Sequence, residues 1–337
     1  MNNRKYDIGV DLGGTNIAIG IVNCDGKILC KDSVPTDLPR SPESIVDAIY
    51  DLTEDLLHRK HLSLDDCTSI GIGIPGTVNA EAGVVEYANN FGFTNVSFVK
   101  LLKDRFPIKV YAENDAAAAA IGEYAAGAGK GTHSMVMITL GTGVGGGIII
   151  DGRCWHGINS AAGELGHMVI HHGGRQCTCG RKGCFEAYAS ATALVDRVET
   201  AVRKSIEEYQ KSDKDMGCDR EVSVLASDVQ AGQHLSGKKI IEAVKSGDPI
   251  AKKEYESYLE DLAVGTANII NILQPECLII GGGLSGIGEE LLLKPLTSLV
   301  KPMVYSRYSS QNTSIRLAKL GNDAGIIGAA RINGGSL

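Results

Sequence analysis

The chain has 337 residues, 43% of them hydrophobic and 22% charged, with a formal net charge of -7. That is a globular composition with apolar mass for one large or two medium domains, and its acidic balance argues against a nucleic-acid partner, since no long Lys/Arg run appears. The polar start lacks a signal-peptide core, and apolar runs such as residues 148–150 are far too short to cross a bilayer, so no membrane partner and a cytoplasmic location are expected.

In chain order, residues 6–10 read as an apolar strand. Asp11-Leu12-Gly13-Gly14-Thr15 is a glycine turn, residues 17–22 a second strand, Asn23-Cys24-Asp25-Gly26 a hairpin, and residues 27–34 a third strand. Ser41 or Ser44 can cap a helix whose apolar stripe is Ile45, Ala48, Ile49, Leu52 and Leu56. Strands follow at 69–74 and 108–112, then an alanine-rich helix at 116–126. The pattern then restarts. Residues 135–140 are a strand, the glycine-rich stretch 141–147 a turn, 148–150 a strand, and Asp151-Gly152 a turn. Leu140-Gly141-Thr142-Gly143 matches Leu12-Gly13-Gly14-Thr15, and Asp151-Gly152 matches Asp25-Gly26. Long helices are expected at 185–209 and 251–273, a strand at 277–280 before Gly281-Gly282-Gly283, a last strand at 313–317 and a last helix at 324–332. Residues 211–237 read as a polar, irregular surface insertion. Alternating strands and helices in a duplicated unit predict an α/β protein with two similar domains and a ligand cleft between them.

Glycine turns beside strands can cradle phosphate, because their N–H groups converge with no side chain in the way. Two of them on facing domains, each with a Thr hydroxyl, predict a nucleotide gripped from both sides. Asp11, at a strand end beside the first turn, suits Mg²⁺ held through water. Gly127-Ala128-Gly129-Lys130-Gly131-Thr132 is not a P-loop, because Gly131 follows the lysine where Ser or Thr is required. Gly281-x-Gly283-x-x-Gly286 fits a dinucleotide fingerprint, but Lys301 and Pro302 lie where its acid belongs, about 20 residues on. That loop is expected at the adenosine end of ATP, with a nicotinamide site the alternative. Asn114-Asp115 opens the alanine helix. Asp115 could cap it, or could accept a hydroxyl proton during phosphoryl transfer, the role assigned to it here. Of nine cysteines, Cys177, Cys179 and Cys184 cluster, which in a reduced compartment suggests metal before disulfide.

Asp11-Leu12-Gly13-Gly14-Thr15-Asn16, Glu113-Asn114-Asp115, the glycine segment from Leu140, Glu164-Leu165-Gly166-His167 and Cys177-Thr178-Cys179-Gly180-Arg181-Lys182-Gly183-Cys184 together resemble the ROK family of repressors, uncharacterised frames and sugar kinases. The resemblance covers nearly the whole chain. It implies the actin/hexokinase-like fold, two ribonuclease-H-like α/β domains closing on ATP and sugar. Residues 1–116 with 322–337 would form the smaller domain and 117–321 the larger one. It implies Asp115 as catalytic base and Gly76, Asn90, Asn114, Asp115, Glu164, His167 and Glu186 around the sugar. Asp11, Gly13, Gly14, Thr15, Asn16, Gly141, Thr142, Gly143, Gly282 and Gly283 would hold Mg·ATP. His167, Cys177, Cys179 and Cys184 would hold a structural Zn²⁺, whose four N/S ligands the short cysteine spacing permits. Phe93 stands where the family's Asn-Leu-Gly-Trp stretch has Trp. Glucose is the expected substrate, with N-acetylglucosamine or N-acetylmannosamine the alternative, and a homodimer or homotetramer is expected. The family's repressors carry a helix-turn-helix before the first phosphate motif; with Asp11 only the eleventh residue, a repressor is not expected. A sugar sensor without catalysis is opposed by the intact Asp115 and both phosphate turns.

Overall fold

The computed structural model describes residues 5–211 and 223–332. Strands β1 (Tyr6–Leu12), β2 (Asn16–Asn23) and β3 (Ile28–Pro35) form an antiparallel meander. Helix α1 (Pro42–Arg59) begins at Ser41, whose side chain accepts the Ser44 N–H at 3.2 Å. Pro42 fits its first turn, where an N–H has no helical partner in any case. Its apolar stripe, including Ile45, Ile49, Leu52 and Leu56, is buried under β2 and β3. The apolar run of β4 (Cys67–Ile74) lies parallel to β1 and is buried on both faces, as parallel strands require. Then come β5 (Thr77–Asn79), β6 (Val84–Ala88), β7 (Phe93–Val96) and α2 (Phe98–Lys103). This small antiparallel sheet was not expected from the sequence, because such short strands carry too few residues for a period to show. β8 (Lys109–Asn114) returns parallel to β4 and runs directly into α3 (Asp115–Ala126). The first sheet has the order β3-β2-β1-β4-β8.

The second half repeats that plan. β9 (Met135–Leu140), β10 (Val144–Ile150) and β11 (Arg153–Cys154) form an antiparallel meander. Helices α4 (Glu186–Ala189), α5 (Ala191–Lys211), α6 (Ala226–Gln230), α7 (Gly237–Ser246) and α8 (Pro249–Leu273) follow. Then come β12 (Cys277–Gly281), parallel to β9, α9 (Lys294–Val300), β13 (Ser314–Leu317), parallel to β12, and α10 (Asp323–Ala330). The second sheet has the order β11-β10-β9-β12-β13, so the sequence repeat is a repeat of connectivity. Each lobe has its own apolar core.

Three expectations are corrected. The glycines at 145–147 are strand, not turn: they pair with Thr139, Ile138 and Met137 in the β9–β10 ladder. Gly145 and Gly147 are small because α3 lies on them, and a Cβ at Gly147 would sit 2.4 Å from that of Ala120; on the other face a Cβ at Gly146 would meet the Gly163 carbonyl at 2.5 Å. The helix expected at 185–209 breaks at Ser190, and the break frees the Ala191 N–H to donate to the Gly141 carbonyl at 2.8 Å. The segment read as a polar insertion supplies core: Leu225, Val229 and Leu235 are buried in the apolar core of the second lobe, where α6 packs on α5. Residues 212–222 of that segment lie outside those described.

Helices α3 and α10 join the two halves. α10 packs on β1 and β4, α3 packs on β10, and the helices lie against each other. Glycine makes the approach possible: a Cβ on Gly122 would come within 2.2 Å of the Ala324 carbonyl oxygen, and one on Gly328 within 1.6 Å of that of Ala118.

Candidate active site

A cleft of about 570 Å³ opens between the lobes. Its lining includes Gly76, Asn90, Asn114, Asp115, Glu164, His167, Glu186, Gly141, Thr142, Gly143 and Gly282. Every residue expected around the sugar is therefore here, with the second glycine turn. Asp11, Gly13, Gly14, Thr15, Asn16 and Gly283 are not among the lining residues. The first turn lies apart, with Gly14, Thr15 and Asn16 exposed at the end of the β1–β2 hairpin.

Asp115 is the first residue of α3, where the chain leaves β8. The helix is capped by Asn114 and not by Asp115: the Asn114 Oδ1 accepts the N–H groups of Ala116 and Ala117 at 2.9 and 3.1 Å. Asn114 Nδ2 also donates to the Gly76 carbonyl at 2.9 Å, which ties the loop after β4 to the start of α3. Gly76 has φ of +106°, and a Cβ there would meet the Tyr87 carbonyl at 2.2 Å. Asp115 keeps one oxygen on its neighbour's N–H and has its carboxyl pushed above the ordinary range, chiefly by burial. Asp11 is pushed up to about 6 by burial and by the charge of Asp115. The charge of Asp115 is thus felt at Asp11, a repulsion that a divalent cation would relieve.

Asn90 sits on an exposed turn between β6 and β7. Phe93, the departure from the family's Trp, is buried beside Phe91 and Phe98 with ring centroids 5.3 and 5.6 Å away, so it packs the small sheet and not the cleft. Across the cleft, His167 Nε2 lies 3.9 Å from Glu164 Oε2. His167 Nδ1 faces the Cys177 sulfur at 3.7 Å, and the sulfurs of Cys179 and Cys184 are 3.6 Å apart. One ligand atom from each of His167, Cys177, Cys179 and Cys184 lies within 4.8 Å of all the others. Burial pushes the Cys184 thiol up to about 12, while the Arg181 backbone N–H holds Cys179 below its ordinary value.

Glu186 does more than the sequence suggested. Its Oε2 accepts the Val144 N–H at 3.0 Å, and its Oε1 accepts the Thr178 hydroxyl at 3.3 Å. It therefore joins the cysteine loop to the second glycine turn. Thr192, absent from the expected set, donates its hydroxyl to the Thr142 carbonyl at 2.9 Å. Thr77, Tyr87, Asn89, Ser160 and Thr178 also line the cleft and were missed. Tyr87 and Asn89 flank the Asn90 stretch, and Thr178 sits inside Cys177-x-Cys179. Proximity to those motifs was the only signal for them.

The ROK family model matches residues 7–334. The chain is 36% identical to a glucokinase of Halalkalibacterium halodurans over 97% of its own length and 94% of that protein. A ROK family glucokinase from Streptomyces griseus, solved in complex with glucose and AMPPNP, superposes with a TM-score of 0.78 at 33% identity, covering 97% of this chain and 98% of that one. A xylose repressor of Caldicellulosiruptor bescii is 30% identical, covering 95% of this chain and 76% of the repressor. The two sheet lobes have the actin/hexokinase-like ATPase fold.

Proposed function

This chain belongs to the ROK family, and from that premise we propose that it is an ATP-dependent hexose kinase acting on glucose, with transfer to the 6-hydroxyl. One observation carries the reading: Asp115, with its carboxyl held by burial above the ordinary range, stands in the same cleft as Asn90, Glu164, His167 and the turn Gly141-Thr142-Gly143. In this reading Asn90, Asn114, Glu164, His167 and Glu186 orient the sugar. Asp115 accepts the proton of the attacking hydroxyl, and the two glycine turns and the loop at Gly282-Gly283 bind ATP. Asp11 would hold a Mg²⁺ ion, which would neutralise phosphate charge. Residues 1–116 with 322–337 and residues 117–321 are the two bodies that close on the substrates. ADP release measured over a panel of hexoses and N-acetylhexosamines tests the reading. Glucose should give the largest rise over the sugar-free rate; no rise with any sugar refutes it, and a larger rise with an N-acetylhexosamine reassigns the substrate.

A structural Zn²⁺ belongs to the same reading. Three thiols and one imidazole with mutually close donor atoms match the closed four-coordinate sites zinc prefers. The metal would fix the His167 ring by Nδ1, leaving Nε2 for a sugar hydroxyl. Purified protein should contain about one zinc per chain, the four ligands of one such site. Cys179→Ser should lower both zinc content and sugar affinity; metal-free protein with an unchanged sugar KM would remove zinc from the account. No helix among the described residues is long and apolar enough to cross a membrane. A cytoplasmic dimer or tetramer completes the reading, and light scattering tests the assembly.

A further inference from the structure

Glu113 immediately precedes the Asn114-Asp115 pair, at the end of β8. Its side chain is only 2% exposed. One oxygen, Oε1, accepts the Asn114 N–H at 2.9 Å, and the other, Oε2, meets His156 Nε2 at 2.5 Å. His156 comes from the second half of the molecule, just after β11. Among the described residues it is the only basic side chain paired with Glu113. The hydrogen bond that the imidazole donates to Glu113 also holds the ring in its charged form beyond its ordinary range. The His156 carbonyl accepts the Ala162 N–H at 3.0 Å, closing the loop that leads to Glu164 and His167. Glu113 thus holds the backbone of Asn114, the residue that caps α3 and pins Gly76, while His156 holds the loop on the opposite wall.

We propose that His156 is a positioning residue for the phosphoryl transfer: through Glu113 it fixes Asn114-Asp115 on one wall of the cleft relative to the loop carrying Glu164 and His167 on the other. This rests on the kinase reading above. Removing the imidazole would leave a buried carboxylate without a cation, which it relieves by taking up a proton or water. Either change loosens its hold on the Asn114 N–H. Small displacements of a catalytic group are costly to rate, so the effect belongs on the sugar side of the reaction and not on ATP binding.

The test compares His156→Ala, His156→Gln, Glu113→Gln and the double variant His156→Ala/Glu113→Gln in sugar-dependent ADP release. His156→Ala should lower kcat/KM for sugar by about tenfold or more, with KM for ATP changed by less than about threefold. His156→Gln, whose amide N–H still reaches the carboxylate, should recover most of the loss. The double variant should be no more impaired than His156→Ala, because the carboxylate that the imidazole balanced is gone with it. Parental kcat and sugar KM in His156→Ala, equal losses for sugar and ATP, or losses that multiply in the double variant would overturn the proposal. A parent with no sugar-dependent ADP release refutes the kinase reading instead. In that case hydrogen exchange at the amides of Asn114, Ala116 and Ala117 still decides the positioning. It should quicken by about tenfold in His156→Ala and not in His156→Gln, the signature of local opening at the helix start; unchanged exchange would sink it.

Discussion

The two glycine turns occupy equivalent places in two sheets of identical strand order, yet they are held differently. The first depends on Thr36, whose hydroxyl donates to the Gly13 carbonyl at 2.7 Å and whose N–H donates to that of Thr15 at 2.9 Å. The second is braced from three sides: Ala191 on Gly141, Thr192 on Thr142, and Glu186 on Val144. Both halves carry the turn, but among the described residues the hydrogen bonds from helices are made to the second. The second turn is thereby tied to Glu186 and the cysteine loop, while the first is tied to Thr36, just after its own β3.

The largest expected effect isolates the chemistry from both turns. Asp115→Asn should lower kcat by roughly 10²- to 10⁴-fold, the range for loss of a general base, with little change in sugar KM. A variant with near-parental kcat would take Asp115 out of that role. Glu186→Ala tests whether sugar and phosphate sites are mechanically joined. Losing its hydrogen bonds should cost roughly 10- to 100-fold in kcat/KM, and it should raise KM for ATP as well as for sugar. A rise for sugar alone would mean that the second turn stands without it.

Smaller effects separate the two turns. Thr192→Val removes one hydrogen bond, worth about 1 kcal/mol, so KM for ATP should rise about fivefold. Thr36→Val at the first turn should act mainly on stability, by about 1–2 kcal/mol in denaturant titration, because it strips a buried site of its side-chain donor. If the Thr36 variant moves KM for ATP more than the Thr192 variant, the proposed asymmetry is reversed. The smallest effect concerns Asp11. Its folded-state value of about 6 lies above the ordinary 3.8, so the folded chain holds this proton more tightly than the unfolded one. The resulting stabilisation is complete below pH 4 and is lost as pH rises through 6. Asp11→Asn should therefore stabilise the nucleotide-free protein at pH 8 by roughly 1–2 kcal/mol, and not at pH 4. Equal effects at both pH values would rule out ionisation as the cause.

The sequence made the duplicated sheets legible because the strand-turn-strand units carry their own punctuation, and the matching of Leu12-Gly13 with Leu140-Gly141 needed no tertiary knowledge. The cleft residues were legible through their motifs. What stayed hidden depended on contacts between distant segments. Gly145 and Gly147 look like turn residues until α3 is laid across them, and Gly146 until Gly163 and Leu165 close on its other face. The helix break at Ser190 follows from a carbonyl at Gly141, far away in the chain. Glu113 and His156 are unremarkable apart, and their meaning lies in an approach across the lobes that no local pattern encodes.

The crossing of α3 and α10 has a mechanical consequence. Where helices meet through interlocking side chains, they can ratchet from one set of notches to the next. At Gly122 and Gly328 there are no side chains to act as teeth, and main chain rests on main chain. If the two lobes close as proposed above, this crossing would serve as their pivot, and a methyl group added at either glycine would wedge the helices apart and hinder the movement.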